Sequence, residues 1–177
     1  MRTRSRSRCV STDQRATGTD PVDERRRIVN VLLDQASLGT GTPHISHDRA
    51  AAIFDLLEEN HFAPADGSLG PFILHLGVRE NRLTFDVRDE SDQAAFDFSF
   101  GLAAFRSIVR DYHIVCDSYY DAIRNGTPSR IQAIDMGRRG LHNEGAELLQ
   151  TRLAAHVNVD LDTARRLFTL LCVLHMR

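Results

Sequence analysis

Apolar residues alternate with polar ones through the middle of the chain and then recur every three to four residues towards the C-terminus. The alternation covers 71–90 and 95–100. It predicts three antiparallel strands, because successive side chains of a strand point to opposite faces. With Glu80 and Asn81 as a two-residue turn, every apolar position of the first segment lies on one face of a hairpin.

The helical period begins near Leu102 and continues in three segments. An apolar stripe over 105–123 predicts one long helix. Thr127 and Pro128 then form a cap residue followed by a proline, which is a preferred way to begin a second helix, running to about Ala155. Asp162 is the predicted cap of a last helix, whose second half is apolar nearly all the way round, so that it is either buried in the core or shared with a second subunit.

Two elements precede the hairpin. Residues 27–34 are apolar on both sides of the alternation, which predicts an interior strand. Residues 46–60 predict a helix, with Ser46 as its N-cap and Asn60 as its C-terminal stop. The predicted class is therefore α+β, with a small antiparallel sheet of three to four strands packed against about four helices.

Composition divides the chain into a disordered tail, 1–26, and a single α+β domain, 27–177. The tail is basic and rich in serine, and its first 21 residues hold five arginines against two aspartates. The remainder is mildly acidic, which argues against a body that binds nucleic acid in general. The "RTRSRSR" arm could contact RNA or anionic lipid, but a disordered extension or an upstream mis-assigned start is the preferred interpretation.

The sequence predicts a cytoplasmic protein with no membrane partner. No apolar run reaches the roughly 18 residues that a membrane span needs, and the N-terminus has no continuous apolar stretch like that of a signal peptide. The three cysteines show no CxxC spacing. All 22 basic residues other than histidine are arginine, which excludes a P-loop lysine and Schiff-base lysine chemistry.

The segment "IDMGRRGLHNEGAELL", 134–149, combines an apolar repeat with three glycines, two arginines and a His-Asn-Glu run. Arg138 and His142 are four residues apart and therefore neighbours on the face that carries the leucines. A guanidinium among leucines needs a paired carboxylate, a bound anion or a water-filled cleft. Each glycine costs about 1 kcal/mol relative to alanine in a helix, which suggests that the glycines admit a close helix, a kink or a ligand.

Two interpretations of this segment remain open. In the structural one, the arginines pair with Asp135, Glu144 or a carboxylate of the preceding helix, and the histidine is satisfied in the core. In the functional one, an anionic group of a small molecule or a protein partner binds in a polar cleft, because paired arginines suit carboxylate and phosphate. The candidate site residues are Arg138, Arg139, His142 and Asn143.

Other constellations are secondary. The hairpin register sets His75 opposite Asp86, an arrangement in which a carboxylate can orient a histidine base. His113, Asp117 and Asp121 share a helical face but have the pattern of a solvated ion-pair surface, so no metal site is predicted. The standard hydrolase and metalloenzyme signatures are absent from the sequence.

Several blocks of the sequence, "RENRLTFDVRDE", "SYYDAIR", "TPSRIQAIDMGRRGLHNEGAELL" and "DTARRLFTLLCVLH", resemble the uncharacterised protein family 0262 of the UPF series, found in alphaproteobacteria. The resemblance runs from about Arg27 to the C-terminus. It implies a bacterial cytoplasmic protein, and it carries over no reaction, cofactor or catalytic residue.

Three functions are therefore compatible with the sequence. The first is a binding domain that recognises an anion or a partner in the cleft around Arg138 and His142. The second is a small enzyme that uses His142 as general acid or base on an anionic substrate. The third is a structural homo-oligomer joined through its C-terminal helix.

Overall fold

The structure, a computed structural model, describes residues 24–38 and 43–175. Four helices and six strands follow one another in these residues. In chain order they are β1 (Ile28–Leu33), α1 (Pro43–Glu58), β2 (Phe62–Pro64), β3 (Phe72–Arg79), β4 (Arg82–Arg88), β5 (Ala94–Gly101), α2 (Arg106–Asn125), α3 (Pro128–Leu153), β6 (Val157–Val159) and α4 (Leu161–Leu174). The predicted α+β class is confirmed.

The main sheet has the strand order β1-β3-β4-β5. It is mixed, and in this respect the prediction of a wholly antiparallel sheet was wrong, because β1 runs parallel to β3. The reason is the intervening helix: α1 supplies the crossover that a parallel pair requires. The prediction that β1 is interior was also wrong, since β1 forms an edge of the sheet and leaves Val29 and Leu32 exposed. Strands β2 and β6 form a separate antiparallel pair.

The predicted hairpin register is confirmed. Strand β3 pairs with β4 so that Val78 faces Leu83, and His75 faces Asp86. Glu80 and Asn81 form the turn with positive φ angles of 49° and 60°. Two successive positive φ angles are those of a type I′ turn, whose twist matches that of the flanking strands.

One face of the main sheet is apolar and packs into a single core with the helices. The side chains of that face alternate along β3 and β4, where they are at most 1% exposed: Phe72, Leu74, Leu76, Leu83, Phe85 and Val87. The opposite face carries polar residues, among them His75, Thr84 and Asp86, and is partly exposed. Burial on one side explains why the sequence alternates through this region.

The helices begin and end close to where the sequence places them. Thr127 caps α3 by accepting a hydrogen bond from the Arg130 backbone N–H, and Pro128 is the first helical residue. The cap of α4 is Asp160 and not Asp162, because the Asp160 carboxylate accepts from the Thr163 backbone N–H. No helix of the described ranges combines the length and the apolar character needed to cross a membrane.

Helix α4 is buried inside its own chain. The apolar side chains of its last two turns are at most 7% exposed: Leu167, Phe168, Leu170, Leu171, Cys172, Val173 and Leu174. All of these except Val173 belong to the common core with residues of the other helices and the sheet. Of the two explanations for this apolar helix, the structure therefore supports burial in the core.

Helix α3 is continuous over 26 residues despite its three glycines. Gly145 is buried, and a β-carbon at this position would lie 2.1 Å from Cζ of Phe168. The absent side chain thus makes room for an aromatic ring of α4. Gly137 and Gly140 face open space, because a β-carbon added at either position would have no such neighbour within 4 Å.

The predicted tail, 1–26, falls mostly outside the described residues, since residues 1–23 lie beyond them. Arg25 and Arg26, which the prediction included in the tail, bond to the body. The Arg25 carbonyl accepts from the Gly70 backbone N–H at 2.8 Å, and the Arg26 carbonyl accepts from that of Phe62 at 2.7 Å.

Replacing Gly145 with alanine should destabilise the protein by about 1–3 kcal/mol, because the added methyl group overlaps the Phe168 ring in a packed core. Gly140→Ala is the matched control on the same helix. It should stabilise the protein by up to about 1 kcal/mol through helix propensity alone. Urea denaturation of both variants measures the difference, and equal free energies of unfolding would contradict the close contact.

Candidate functional site

A cleft of about 550 Å³ lies between α1, α3 and α4, with Tyr112 of α2 in its lining. All four residues of the predicted site line it: Arg138, Arg139, His142 and Asn143. The helical period explains this, because the pairs 138/142 and 139/143 are each one turn apart on α3 and project to the same side.

The two arginines of α3 share one carboxylate. Arg138 donates to Oδ1 of Asp135 through Nη2 at 2.7 Å and Nε at 3.1 Å. Arg139 donates through Nε to Oδ2 of the same residue at 2.8 Å. The hydrogen bond from Arg138 lowers the pKa of the Asp135 carboxyl, so the aspartate stays ionised. One carboxylate thus pairs with two guanidinium groups, so this wall of the cleft carries a net positive charge.

Arg138 is the more buried member of the pair. Its side chain is 29% exposed, against 73% for Arg139. Its guanidinium carbon lies 4.9 Å from the centre of the Tyr119 ring, within the range of a cation–π contact. The carboxylate and the ring hold Arg138 in place, whereas Arg139 reaches into solvent at the mouth of the cleft. Both the pairing and the cleft expected from the sequence are therefore present together.

His142 forms the floor of the cleft together with Tyr112, and the buried Phe168 ring also lies next to it. The His142 ring centre is 5.4 Å from that of Tyr112 and 5.5 Å from that of Phe168. Burial, together with the positive charges of Arg138 and Arg165, lowers the pKa of His142 to about 4. The imidazole is consequently neutral at pH 7.

The two ring nitrogens of His142 have different surroundings. Nε2 lies 2.9 Å from Oγ1 of Thr169, and that hydroxyl donates to the Arg165 carbonyl at 3.2 Å. With the threonine proton engaged in this way, Nε2–H is the donor to Thr169, and Nδ1 retains a lone pair. The hydrogen bond joins α3 to α4 and fixes the orientation of the ring.

Helix α4 supplies two further arginines, which the sequence patterns did not place in the site. Arg165 donates through Nε to Oδ1 of Asn143 at 2.9 Å and through Nη1 to Asp162 at 2.6 Å. Arg166 donates through Nη1 to the Glu59 backbone carbonyl, a neutral partner. A signal for them exists in the sequence, since they form a second pair of adjacent arginines, just before the apolar half of the last helix.

Helix α1 forms the remaining wall, with Asp48, Ala51, Ala52 and Asp55. Asp48 accepts hydrogen bonds from the Tyr120 hydroxyl, at 3.2 Å to each carboxylate oxygen. Burial raises the pKa of that tyrosine to about 12, and the Asp48 charge contributes in the same direction. The hydroxyl therefore stays protonated and acts as the donor.

The secondary candidates, His75 and Asp86, face each other in the hairpin register, but their side chains are not bonded to each other. Asp86 accepts two hydrogen bonds from Arg88, at 2.8 and 3.1 Å. His75 Nε2 lies instead 3.5 Å from a carboxylate oxygen of Asp92. The expected histidine–carboxylate pair therefore does not form, and Asp86 pairs with Arg88 instead.

Residues 24–38 and 43–175 contain no group of three or more histidine, cysteine, aspartate or glutamate side chains placed to hold a metal ion. His113 is half-buried, and burial lowers its pKa. Its Nε2 atom has no hydrogen-bond partner in the part of the chain that the structure describes.

Comparison with known proteins gives a consistent result. The family model described as "Uncharacterised protein family (UPF0262)" matches residues 25–177. A UPF0262 protein of Rhodopseudomonas palustris (strain TIE-1) is 53% identical over 158 residues, which are 89% of this chain and 97% of the relative. A UPF0262 protein of Bradyrhizobium sp. (strain ORS 278) is 56% identical over 160 residues, 89% of this chain and 95% of the relative. No solved structure matches the chain.

The environment of His142 predicts a pH dependence of stability. Its folded pKa of about 4 lies below its ordinary value of 6.5, so between these values the unfolded chain binds more protons than the folded one. The free energy of unfolding should therefore decrease as pH falls through this window. In the His142→Gln variant, the free energy of unfolding should decrease less over the same pH window than in the wild type. Urea denaturation at several pH values measures both decreases.

Burial lowers the pKa of His113 and His175 as well, so the wild type and the variant are compared at each pH. The His142 ring signals in NMR report its titration directly. A His142 midpoint at or above its ordinary pKa would show that the ring is neither buried nor close to the arginines.

Proposed function

Since the chain belongs to the uncharacterised protein family UPF0262, we propose a function from the geometry of the cleft itself. Alphaproteobacterial relatives match almost the whole described length of the chain. The protein is a binding domain that recognises an anionic group, a carboxylate or a phosphate, of a small molecule or a protein partner. The observation that carries this proposal is the convergence of four guanidinium groups from α3 and α4 on one cleft. Guanidinium groups are suited to such anions because they offer several donors in a planar fork.

Donors remain free in this arrangement. Arg139 uses only Nε for Asp135, and Arg166 uses only Nη1 for the Glu59 carbonyl. Their other guanidinium nitrogens have no hydrogen-bond partner within 24–38 and 43–175. A ligand anion at the mouth of the cleft could accept from both helices without breaking an existing ion pair.

The charges around His142 indicate the sign of the local potential. Burial is the largest cause of the lowered pKa of His142, and the positive charges of Arg138 and Arg165 lower that pKa further. The contribution of these two arginines reflects a positive environment, which is also the environment that attracts an anion. The same arginines therefore lower the proton affinity of His142 and favour a negative ligand.

Catalysis by His142 is the second candidate function. The lone pair on Nδ1 and the adjacent arginines favour it, because they provide a base next to groups that stabilise negative charge. However, a pKa of about 4 is far from the value near 7 that suits a general base at neutral pH. Binding is thus the better supported function.

A homo-oligomer through α4 has less support, because the apolar residues of α4 are covered by their own chain. We place the protein in the cytoplasm. This location is supported by Cys116 and Cys172, which are free thiols. Reduced cysteines are typical of that compartment.

Arg139→Gln tests the anion site. Arg139 is largely exposed, so its replacement should leave the melting temperature nearly unchanged. The affinity for inorganic phosphate or for succinate, measured by isothermal titration calorimetry, should fall by about tenfold, which is the loss expected for one charge-assisted hydrogen bond.

Arg130→Gln is the matched control, since Arg130 is an exposed residue of α3 outside the cleft. It should bind both anions as the wild type does. If neither anion binds the wild-type protein, or if both variants lose affinity equally, the anion-binding function is wrong.

A further inference from the structure

We propose that the ligand of the cleft is zwitterionic, with a cationic group that binds the α1 wall and an anionic group that binds the arginines of α3 and α4. This inference rests on the proposed function and specifies its ligand class. It follows from the placement, in one cleft, of guanidinium groups and of two carboxylates that form no ion pair with a described residue.

The α1 wall presents two carboxylates on one helical face. Asp48 and Asp55 are seven residues apart, which is two helical turns, or roughly 10 Å along the axis. Ala51 and Ala52 lie between them and also line the cleft. Because these two side chains are small, the wall between the carboxylates is recessed and leaves room for a ligand.

These carboxylates are not neutralised by the arginines opposite them. In the part of the chain that the structure describes, no arginine side chain forms an ion pair with Asp48 or Asp55. This holds although the two aspartates and four arginines line the same cleft. Among the described residues, Asp48 accepts side-chain hydrogen bonds from the Tyr120 hydroxyl alone. The Asp55 carboxylate has neither a hydrogen bond nor an ion pair with any described residue. The cleft therefore keeps its negative and positive walls apart.

The charge balance of the cleft selects against a simple anion. Four arginines line it, and four aspartates either line it or pair with those arginines: Asp48, Asp55, Asp135 and Asp162. An anion that binds the arginines is repelled by the two carboxylates of α1. A ligand that carries an ammonium or similar cation at its other end replaces this repulsion with attraction.

The size of the cleft favours a small molecule over a polymer. Its volume of about 550 Å³ lies within the range of roughly 300–1,000 Å³ that is usual for small-molecule sites. Its charged residues project from three helices of the common core, so the separation of the walls is set by helix packing. The site thus discriminates by the distance between the two charges of its ligand.

Calorimetry on the full chain tests the inference with matched probes. Phosphoethanolamine is compared with inorganic phosphate and ethanolamine, and ε-aminohexanoate is compared with hexanoate and hexylamine. At least one doubly charged probe should bind about tenfold more tightly than either of its singly charged counterparts, as expected when one charge-assisted contact is added.

Asp55→Asn should abolish this preference and leave the affinity for inorganic phosphate equal or higher, because a repelling charge has been removed. Glu58→Gln is the matched control on α1, since Glu58 is exposed and lies outside the cleft. It should keep the preference. An unchanged preference in both Asp55→Asn and Asp48→Asn would overturn the assignment of the cation to the α1 wall.

The outcomes separate this inference from the function on which it rests. If phosphate and hexanoate bind as tightly as the doubly charged probes, the site is a simple anion site, and only the zwitterion inference is wrong. If no probe of either kind binds, the anion-binding function is wrong as well.

Discussion

The contact between Phe168 and Gly145 determines how closely α3 and α4 approach each other. The ring occupies the position that a side chain at residue 145 would take, so only glycine allows this packing. The same ring contacts His142 and Tyr112, which form the floor of the cleft. The hydrogen bond between His142 and Thr169 and that between Asn143 and Arg165 depend on this approach, because each joins α3 to α4.

The cleft contains a partly buried arginine and further arginines with free donors, which is more than a purely structural ion pair requires. Arg138 is held by Asp135 and Tyr119 and is largely removed from solvent. Arg139 and Arg166 keep donors free at the mouth. A buried pair alone would need one arginine and one carboxylate. In the proposed function, the additional arginines and the separate aspartates of α1 serve to bind a ligand.

Local patterns predicted much of the fold. The hairpin register followed from the alternation on both strands, and the beginning of α3 followed from Thr127 and Pro128. The direction of β1 could not be obtained in this way, because it depends on pairing with a strand that lies beyond the intervening helix in the chain. The pairing of the Asp86 side chain was wrongly predicted for a similar reason. The alternation shows that His75 faces Asp86, but it does not show that the Asp86 carboxylate pairs with Arg88.

The α3 side of the candidate site was predictable for the same physical reason. Arg138, Arg139, His142 and Asn143 belong to one helix, so their spacing alone places them together. Arg165 and Arg166 belong to another helix, and their position across the cleft follows from tertiary packing. The three glycines were expected to make room for a helix, a kink or a ligand. Gly145 makes room for the Phe168 ring of a neighbouring helix, and α3 remains continuous.

Heteronuclear NMR of the protein during titration with inorganic phosphate tests anion binding in the cleft most directly. Saturable shifts are expected for the side-chain Nε–H signals of Arg139 and Arg166, together with the backbone signals of Asn143 and Thr169. The Nε–H signal of Arg82, on the sheet, should not move. Saturable shifts on the sheet without any at the cleft, or no saturable shift at all, would contradict anion binding at this site.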